Sequence, residues 1–386
     1  MQKLFITKDN LQLLIKNLNN DCDEFIAPKR EHLDDIIFGD TKNDSGELLD
    51  YAGNSVISPR AFLLPQTEEL FKIKSAKKSN FVPIEDTRKR IFYGVRPCDI
   101  KALGLMKKFF LDEPRPYVQG RGEFVDVFYQ QRLENSIFIA LACTNRCSPN
   151  SFCHIMDAGP IAQNNFDLQL IPTFQNRPAR SGADGVGRDS APKGQEKVGS
   201  IPITRGYLVE IGSKKGNIIV RKYKKLFVKA APSDEKEIKN GLKNFAGKVK
   251  KINFKKLAKI MQQDKIGQKV WDDIGLRCVI CSGCITLCPT CSCFSIADRL
   301  SGDKGIRLRH CDGCPFAGFT KMAGGNTPFP MHKDHIRRFF EHKLNIDVQR
   351  YGRPSCVGCS RCIQTCPGNI SIHKFIDSVE RIAESV

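Results

Sequence analysis

The sequence contains no long hydrophobic run: no apolar stretch among its 386 residues approaches the roughly 20 residues that a membrane-spanning helix needs. Its first nine residues carry charges early and lack the apolar core and cleavage site of a secretory signal. No G-x-G-x-x-G stands between a predicted strand and helix, and no HExxH or convincing Ser-His-Asp set occurs. We therefore expect a cytoplasmic protein with no membrane span that binds neither flavin nor nicotinamide on its own.

Cysteine, by contrast, is abundant, with 17 residues. Most of them fall in three short stretches, 143–153, 278–293 and 356–366, and a further pair lies at 311 and 314. Clustered cysteines in a cytoplasmic protein bind metal more often than they form disulfides. The distribution therefore predicts a metalloprotein.

Two of these stretches share the spacing C-x2-C-x2-C-x3-C-P. The cysteines of the first run are Cys278, Cys281, Cys284 and Cys288, and those of the second are Cys356, Cys359, Cys362 and Cys366. Three cysteines spaced two apart can hold three corners of a [4Fe–4S] cluster, and in two-cluster ferredoxins the fourth cysteine ligates the other cluster. Zinc sites need only four ligands and no trailing Cys-Pro, so the repeated spacing favours iron.

The spacing therefore predicts two crossed ligand sets. Cluster 1 is expected to be held by Cys278, Cys281, Cys284 and Cys366, and cluster 2 by Cys356, Cys359, Cys362 and Cys288. Clusters that exchange a ligand in this way must lie side by side. This arrangement is typical of proteins that pass electrons.

A long insert distinguishes this region from a compact ferredoxin. Sixty-seven residues separate Cys288 from Cys356. The insert carries four further cysteines, Cys291, Cys293, Cys311 and Cys314. These C-x-C and C-x2-C pairs could meet as a zinc or iron site; our prediction favours inert buried thiols. Cys22 stands alone and is expected to be structural.

The residues before about 265 predict an α/β (α+β) domain. Residues 7–19 have the spacing of an amphipathic helix with Thr7 as its N-cap, whereas residues 20–60 are predicted to be irregular. Residues 90–95 and 137–141 are predicted strands, and a helix pattern follows the first of them through Phe110. We expect domain 1–264 of this type, followed by a two-cluster ferredoxin-like α+β domain at 265–386 that contains the long insert.

The region between 174 and 264 has three further features. Residues 174–204 are rich in Gly, Ser, Pro and Arg and predict a flexible surface insertion. A hairpin is predicted next, with strands at 207–211 and 218–220, and a helix is expected to begin at Ser233. Between 214 and 259 there are sixteen Lys or Arg against three acids, a net charge of +13. This segment is either a solvated surface or a site for an anionic partner.

Taken together, these motifs resemble a family of iron–sulfur subunits that occurs in anaerobic sulfite reductase and, as the beta subunit, in archaeal sulfhydrogenases. The resemblance rests on segments 93–103, 143–160, 207–216 and 284–298, and on 322–326 followed by Arg337-Arg338 and the second cysteine run. It implies an electron-transfer subunit of an anaerobic oxidoreductase complex, with a flavin-containing, NAD(P)H-oxidising subunit and a catalytic subunit as partners. His310-Cys311-Asp312-Gly313-Cys314 departs from the Trp-Asp-Ser-Cys that the family usually shows.

A third cluster is expected in the N-terminal domain. Its predicted ligands are Cys98, Cys143, Cys147 and Cys153. Cys98 precedes a predicted helix, whose N-terminus favours thiolate. The other three follow the next predicted strand, and neighbouring parallel strands end at the same edge of a sheet. The resemblance supports this site; the alternatives are buried structural cysteines, or three cysteines with Asp99 as fourth ligand.

Two functions from other classes remain as alternatives. A self-contained iron–sulfur reductase would bind its substrate at an N-terminal cluster with an open coordination position. A nucleic-acid-binding iron–sulfur protein would use the basic segment, but no recognition motif accompanies it, and we expect no nucleic-acid partner. The scattered histidines, including His332, His335 and His342 on a basic helical stretch, are predicted to lie at the surface.

Overall fold

The computed structural model describes residues 3–31, 35–42, 50–51, 53–112, 125–175, 203–234 and 252–385. The strands are β1 Leu4–Thr7, β2 Glu24–Arg30, β3 Ile36–Asp40, β4 Thr67–Ser75, β5 Asn80–Pro83, β6 Arg90–Val95, β7 Ser136–Leu141, β8 Leu168–Gln175, β9 Ile203–Ile211, β10 Val228–Lys229, β11 Phe294–Ser301 and β12 Lys304–Cys311. The helices are α1 Lys8–Asn20, α2 Pro97–Lys107, α3 Val127–Glu134, α4 Lys214–Lys222, α5 Phe254–Gln262, α6 Gln268–Arg277, α7 Gly283–Thr286, α8 His332–Glu341, α9 Asp347–Tyr351, α10 Arg361–Gln364 and α11 Ile372–Ser385. Within these described ranges, every helix is too short or too polar to cross a membrane.

The N-terminal part is built on a mixed sheet of eight strands in the order β10-β1-β9-β8-β7-β6-β2-β3. Strands β2, β6, β7 and β8 are parallel at its centre, and the outer pairs are antiparallel. Strand β6 is buried along its whole length, which is typical of a central parallel strand with both faces covered. The sheet and its helices confirm the mixed α/β class predicted from the sequence.

Several predicted elements are present close to their expected positions. Helix α1 begins after Thr7, whose side chain accepts a hydrogen bond from the Asn10 amide at 3.2 Å. The four apolar residues that give this segment its helical spacing, Leu11, Leu14, Ile15 and Leu18, are buried. Strands β6 and β7 are present, and the expected helix, α2, follows β6 in the chain. It begins at Pro97, because proline fits the first turn of a helix.

Two predictions were wrong. The expected hairpin strand at 218–220 is part of helix α4, whose N-cap Ser213 accepts a hydrogen bond from the Gly216 amide at 3.1 Å. Three successive apolar residues fit either element, and here Ile219 is buried whereas Ile218 is 64% exposed. The expectation of irregular structure over 20–60 was also wrong where β2 and β3 lie, and a short buried run, Phe25-Ile26-Ala27, anchors β2 in the core.

Other predictions fall outside the described residues. These are most of the 174–204 insertion, the helix expected after Ser233, and the middle of the basic segment.

The insert is joined to the N-terminal part by a second sheet. Strands β11 and β12 form a hairpin within the insert, and β12 pairs antiparallel with β4, giving the order β11-β12-β4-β5. Arg309 of β12 and Arg132 of α3 both form buried ion pairs with Glu68 of β4. Segments on both sides of residue 265 therefore share one sheet.

The C-terminal helices and the cysteine loops share one apolar core. Trp271, Phe340 and Phe375 pack against one another in it, with ring centroids 4.6–6.2 Å apart. The same core extends to Phe152 and Cys153 of the N-terminal part. The cysteine loops thus lie where the two parts of the chain meet.

Candidate metal centres

The two cysteine runs form loops with the same backbone conformation. In the first, Ile280 and Ser282 have φ values of 54° and 61°; in the second, Gly358 and Ser360 have 66° and 65° at the equivalent positions. Each loop then enters a one-turn helix, α7 or α10. A left-handed conformation is unfavourable for isoleucine, so its presence at 280 indicates a loop shape that the surrounding structure imposes.

This loop shape directs backbone amides toward sulfur. The Gly358 amide donates a hydrogen bond to the Cys356 sulfur at 3.4 Å, and the Ile280 amide bonds Cys278 in the same way. The Ile370 amide donates to the Cys366 sulfur, also at 3.4 Å. Amides placed in this manner stabilise thiolate and tune the potential of a bound cluster.

The residues predicted to hold cluster 1 lie at the protein surface. Burial raises the pKa of Cys278, and the charges of Cys366 and Cys281 raise it further, so these three thiols are close neighbours. Together with Cys284 and the apolar face of α8, they line a small, mainly apolar pocket. Cys281 is exposed to solvent.

The residues predicted to hold cluster 2 lie deeper. Burial raises the pKa of Cys356 to about 12, and the charges of Cys359 and Cys288 contribute to the increase. Burial is also the main cause of the raised pKa of Cys362. The charges of Cys356, Cys359, Cys288 and Cys284 raise it further. The structure thus places Cys288 beside the second run and Cys366 beside the first. Gly283 of one run also packs closely against Thr365 of the other.

The four N-terminal cysteines also converge. Strands β6 and β7 are parallel and bring Cys98, at the start of α2, and Cys143 to the same edge of the sheet. Cys147 hydrogen-bonds Cys143, and this contact is the main cause of its raised pKa. Burial raises the pKa of Cys153 to about 12, and the charges of Cys147 and Cys359 contribute.

The N-terminal set adjoins the set of cluster 2. The Phe152 amide donates a hydrogen bond to the Gly358 carbonyl at 2.9 Å. A Cβ atom at Gly358 would lie 2.6 Å from the Phe152 carbonyl carbon and 2.7 Å from the Cys153 nitrogen. Glycine is required here because the close approach of the Phe152–Cys153 backbone leaves no space for a Cβ atom, and its positive φ would strain any other residue.

A buried ion pair ties the same two sets together. Arg361, between Cys359 and Cys362, donates to both carboxylate oxygens of Asp99, at 2.7 and 2.8 Å. Asp99 follows Cys98 and also accepts a hydrogen bond from the Ser58 hydroxyl at 2.8 Å. Its carboxylate is therefore already engaged, which argues against Asp99 as a fourth metal ligand.

Buried cations accompany the cysteine sets, and sequence reasoning did not single them out. Arg96 lies over the ring of Tyr51, 3.8 Å from its centroid, and donates to the carbonyl of Ala142 at 3.1 Å, next to Cys143. Lys343 is 5% exposed and donates to the Thr290 hydroxyl at 3.0 Å. That hydroxyl is 3.3 Å from the Cys288 sulfur. The Arg96–Ala142 and Lys343–Thr290 contacts span 46 and 53 positions of the chain, so only the folded protein reveals them.

The prediction that the histidines of the basic helical stretch lie at the surface was wrong for His335. This side chain is buried, and its Nδ1 lies 3.2 Å from the Cys314 carbonyl. His332 Nε2 lies 2.9 Å from the Cys278 carbonyl. Both therefore contact the backbone of cysteine residues rather than solvent alone.

The donor set fits iron–sulfur clusters. The converging atoms are thiol sulfurs, which suit iron, and backbone amides are directed at several of them. Across the described ranges, no three His, Cys, Asp or Glu side chains are close enough to hold a single ion. A cluster of four irons is larger than one ion, so its ligands stand farther apart.

Comparison with known proteins agrees with this chemistry. Residues 277–370 match the family model described as a 4Fe-4S dicluster domain. Over 334 residues the chain is 25% identical to the sulfhydrogenase 2 subunit beta of Pyrococcus furiosus, an alignment that covers 86% of this chain and 85% of that protein. The two matches confirm the resemblance to an iron–sulfur beta-subunit family and support 4Fe–4S clusters in the C-terminal part.

Proposed function

We propose that this chain, an iron–sulfur protein related to the sulfhydrogenase beta subunit, relays electrons within a sulfhydrogenase-type oxidoreductase complex. Three clusters would carry them. We assign cluster 1 to Cys278, Cys281, Cys284 and Cys366, cluster 2 to Cys356, Cys359, Cys362 and Cys288, and cluster 3 to Cys98, Cys143, Cys147 and Cys153. The family relationship and the convergence of these thiols support the assignment.

The Arg361–Asp99 ion pair is the observation that carries this proposal. It joins the loop of Cys359 and Cys362 to the helix start that bears Cys98. Cluster 2 would accordingly lie between the other two, because its loop contacts both Cys153 and the first cysteine run. Such an order gives one continuous path along the three clusters.

Cluster 1 would be the surface end of that path. Cys281 is exposed, and Val279 and Leu276, which precede it in the chain, are 65% and 88% exposed. Exposed apolar side chains around a redox centre are suited to contact with a partner protein. We propose that electrons enter or leave the chain here.

The partners follow from the family relationship. We propose a flavin-containing, NAD(P)H-oxidising subunit on one side and a catalytic subunit of the hydrogenase or sulfite reductase type on the other, in a cytoplasmic complex. The chain itself would then bind no flavin or nicotinamide and catalyse no substrate reaction. Its chemistry would be one-electron reduction and oxidation of the clusters.

Anaerobic purification of the chain with its associated subunits tests the proposal. We expect NAD(P)H to reduce all clusters only when the flavin subunit is present. The double variant Cys356→Ser/Cys359→Ser should block electron transfer through the complex. Cys22→Ser should leave it unchanged, because Cys22 is buried in the core around α1 and not in the core of the cysteine loops.

Cluster 3 needs its own test. The variant Cys143→Ser/Cys153→Ser should lose about four irons per chain relative to the wild type. Unchanged iron content would remove cluster 3 from the path. Reduction of sulfite, polysulfide or flavin by the isolated chain would instead support a self-contained reductase and contradict the relay.

A further inference from the structure

We propose that the four cysteines of the insert form an additional metal–thiolate site that binds an iron–sulfur cluster. This insert thiol group consists of Cys291, Cys293, Cys311 and Cys314. The inference goes beyond the proposed relay, which requires only three clusters.

The hairpin of the insert brings the two cysteine pairs together. Cys293 immediately precedes β11, and Cys311 is the last residue of β12. Phe294 and Cys311 are register partners in this hairpin, and the Asp312 amide donates a hydrogen bond to the Cys293 carbonyl at 3.3 Å. The C-x-C and C-x2-C pairs therefore meet at the open end of one hairpin.

The thiols of this group are mutual neighbours. Cys293 hydrogen-bonds Cys291, and the charge of Cys314 acts on Cys293. Cys311 lies beside Cys291 as well. Cys291 and Cys314 are buried, with 8% and 7% of their surface exposed, so the group is largely withdrawn from water.

Two buried cations face the group. Arg60 is 5% exposed and donates to the Cys291 carbonyl at 2.7 Å and to the Thr286 carbonyl at 3.3 Å. Lys343 is equally buried and its charge acts on Cys291, Cys293 and Cys314. Within the described ranges, neither cation forms an ion pair with a carboxylate; the charge of Asp347 acts on Lys343 at longer range, and no carboxylate is found to act on Arg60.

Buried cations of this kind require a negative charge nearby, because removing a charge from water without a partner is costly. Cluster 2 can provide it for Lys343, which also faces Cys288 and Cys356. It does not account for Arg60, whose cysteine neighbours are Cys291 and Cys311. Protonated thiols are neutral and would leave Arg60 uncompensated, whereas metal-bound thiolates would be anionic.

The donor atoms favour an iron–sulfur cluster over a single ion. All four candidate ligands are sulfur, which suits zinc or iron–sulfur chemistry. No three of them are close enough together for one ion in the described structure. Cys284, a proposed ligand of cluster 1, has Cys314 as its first neighbouring charge. The additional cluster would therefore adjoin cluster 1 and the proposed electron path.

Iron analysis of the full-length, anaerobically purified chain tests this site. We expect about sixteen irons per wild-type chain if all four sites hold cubanes, and the variant Cys291→Ser/Cys314→Ser should lose about four irons and four sulfides relative to the wild type. The paramagnetic signals of clusters 1 and 2 should remain. Cys22→Ser serves as the matched control, since it also removes a buried thiol.

Arg60→Met provides a second variant that keeps every cysteine. It should lose the same irons without changing the iron retained by the other sites. Unchanged iron in both variants, zinc in place of iron, or a disulfide between Cys291 and Cys293 in the purified protein would overturn the proposal. The iron content of Cys143→Ser/Cys153→Ser tests cluster 3 separately. Failure of the insert site can therefore be distinguished from failure of the proposed three-cluster relay.

Discussion

Arg361 and Asp99 form a two-point ion pair in which both side chains are only 1% exposed. Arg361 also donates from Nε to the Ser55 carbonyl at 2.7 Å, so all three guanidinium nitrogens form hydrogen bonds. The pair lies between the two cysteine loops that we assign to clusters 2 and 3. Its geometry therefore determines how these loops are positioned relative to each other.

Removing one partner of this pair is expected to be strongly destabilising. Asp99→Ala leaves the Arg361 cation buried without its carboxylate, which typically costs about 3–5 kcal/mol. Denaturant unfolding of the anaerobic protein should show a correspondingly lower midpoint.

The control is Asp298→Ala, which breaks the solvent-exposed pair between Asp298 and Arg307 on the β11–β12 hairpin. Surface pairs contribute little, so its unfolding midpoint should stay close to that of the wild type. Equal effects of the two variants would show that the Arg361–Asp99 pair has no special role.

Crossed ligation predicts which pairs of cysteines act on one cluster. Cys288→Ser/Cys356→Ser should affect cluster 2 alone and lose about four irons per chain, whereas Cys288→Ser/Cys278→Ser should affect both clusters and lose about eight. Iron and sulfide analysis with electron paramagnetic resonance measures both results. If each run held its own cluster, the two variants would give the opposite pattern.

The equivalent loop positions 280 and 358 should respond differently to substitution. Ile280→Gly relieves an unfavourable left-handed conformation, which typically costs about 1–3 kcal/mol, and should slow the release of iron from cluster 1 to a chelator. Gly358→Ala places a Cβ atom against the Phe152 and Cys153 backbone and should speed the release of iron from cluster 2. Faster release from Ile280→Gly would mean that the isoleucine side chain protects the cluster more than its backbone strain weakens it.

The contact from Lys343 through Thr290 to Cys288 predicts an effect on potential. Lys343 donates to the Thr290 hydroxyl, which can then donate its own hydrogen to the Cys288 sulfur. Hydrogen bonds and positive charge near a cluster sulfur favour the reduced state. Thr290→Val should therefore shift the midpoint potential of cluster 2 to more negative values by tens of millivolts. For a one-electron couple, about 59 mV corresponds to a tenfold change in the equilibrium constant for reduction.

Lys343→Met keeps the Thr290 hydroxyl but removes the buried positive charge, and it should also shift the potential of cluster 2 to more negative values. Lys321→Met, at an exposed lysine, is the control and should leave it unchanged. A redox titration followed by electron paramagnetic resonance measures all three variants. No shift in Thr290→Val and Lys343→Met would contradict the role of this contact.

Local patterns in the sequence were sufficient for the elements that depend on nearby residues. The periodic leucines and isoleucine after Thr7 predicted α1, and the cysteine spacing predicted the two matched loops. They failed at 218–220, where a short apolar run fits both a helix and a strand until burial selects one of them. The strands at 24–30 and 36–40 were missed because their polar flanks conceal a short buried run.

The sequence by itself thus determined the chemistry of this protein, because the spacing of thiol ligands is a local property of the chain. Only the tertiary structure decided which thiols become neighbours. It also placed Arg361 on Asp99, Lys343 beside Thr290, and Arg60 against the insert thiol group. Such contacts join residues up to 262 positions apart, and a buried charge reveals its partner only when folding has removed both from water.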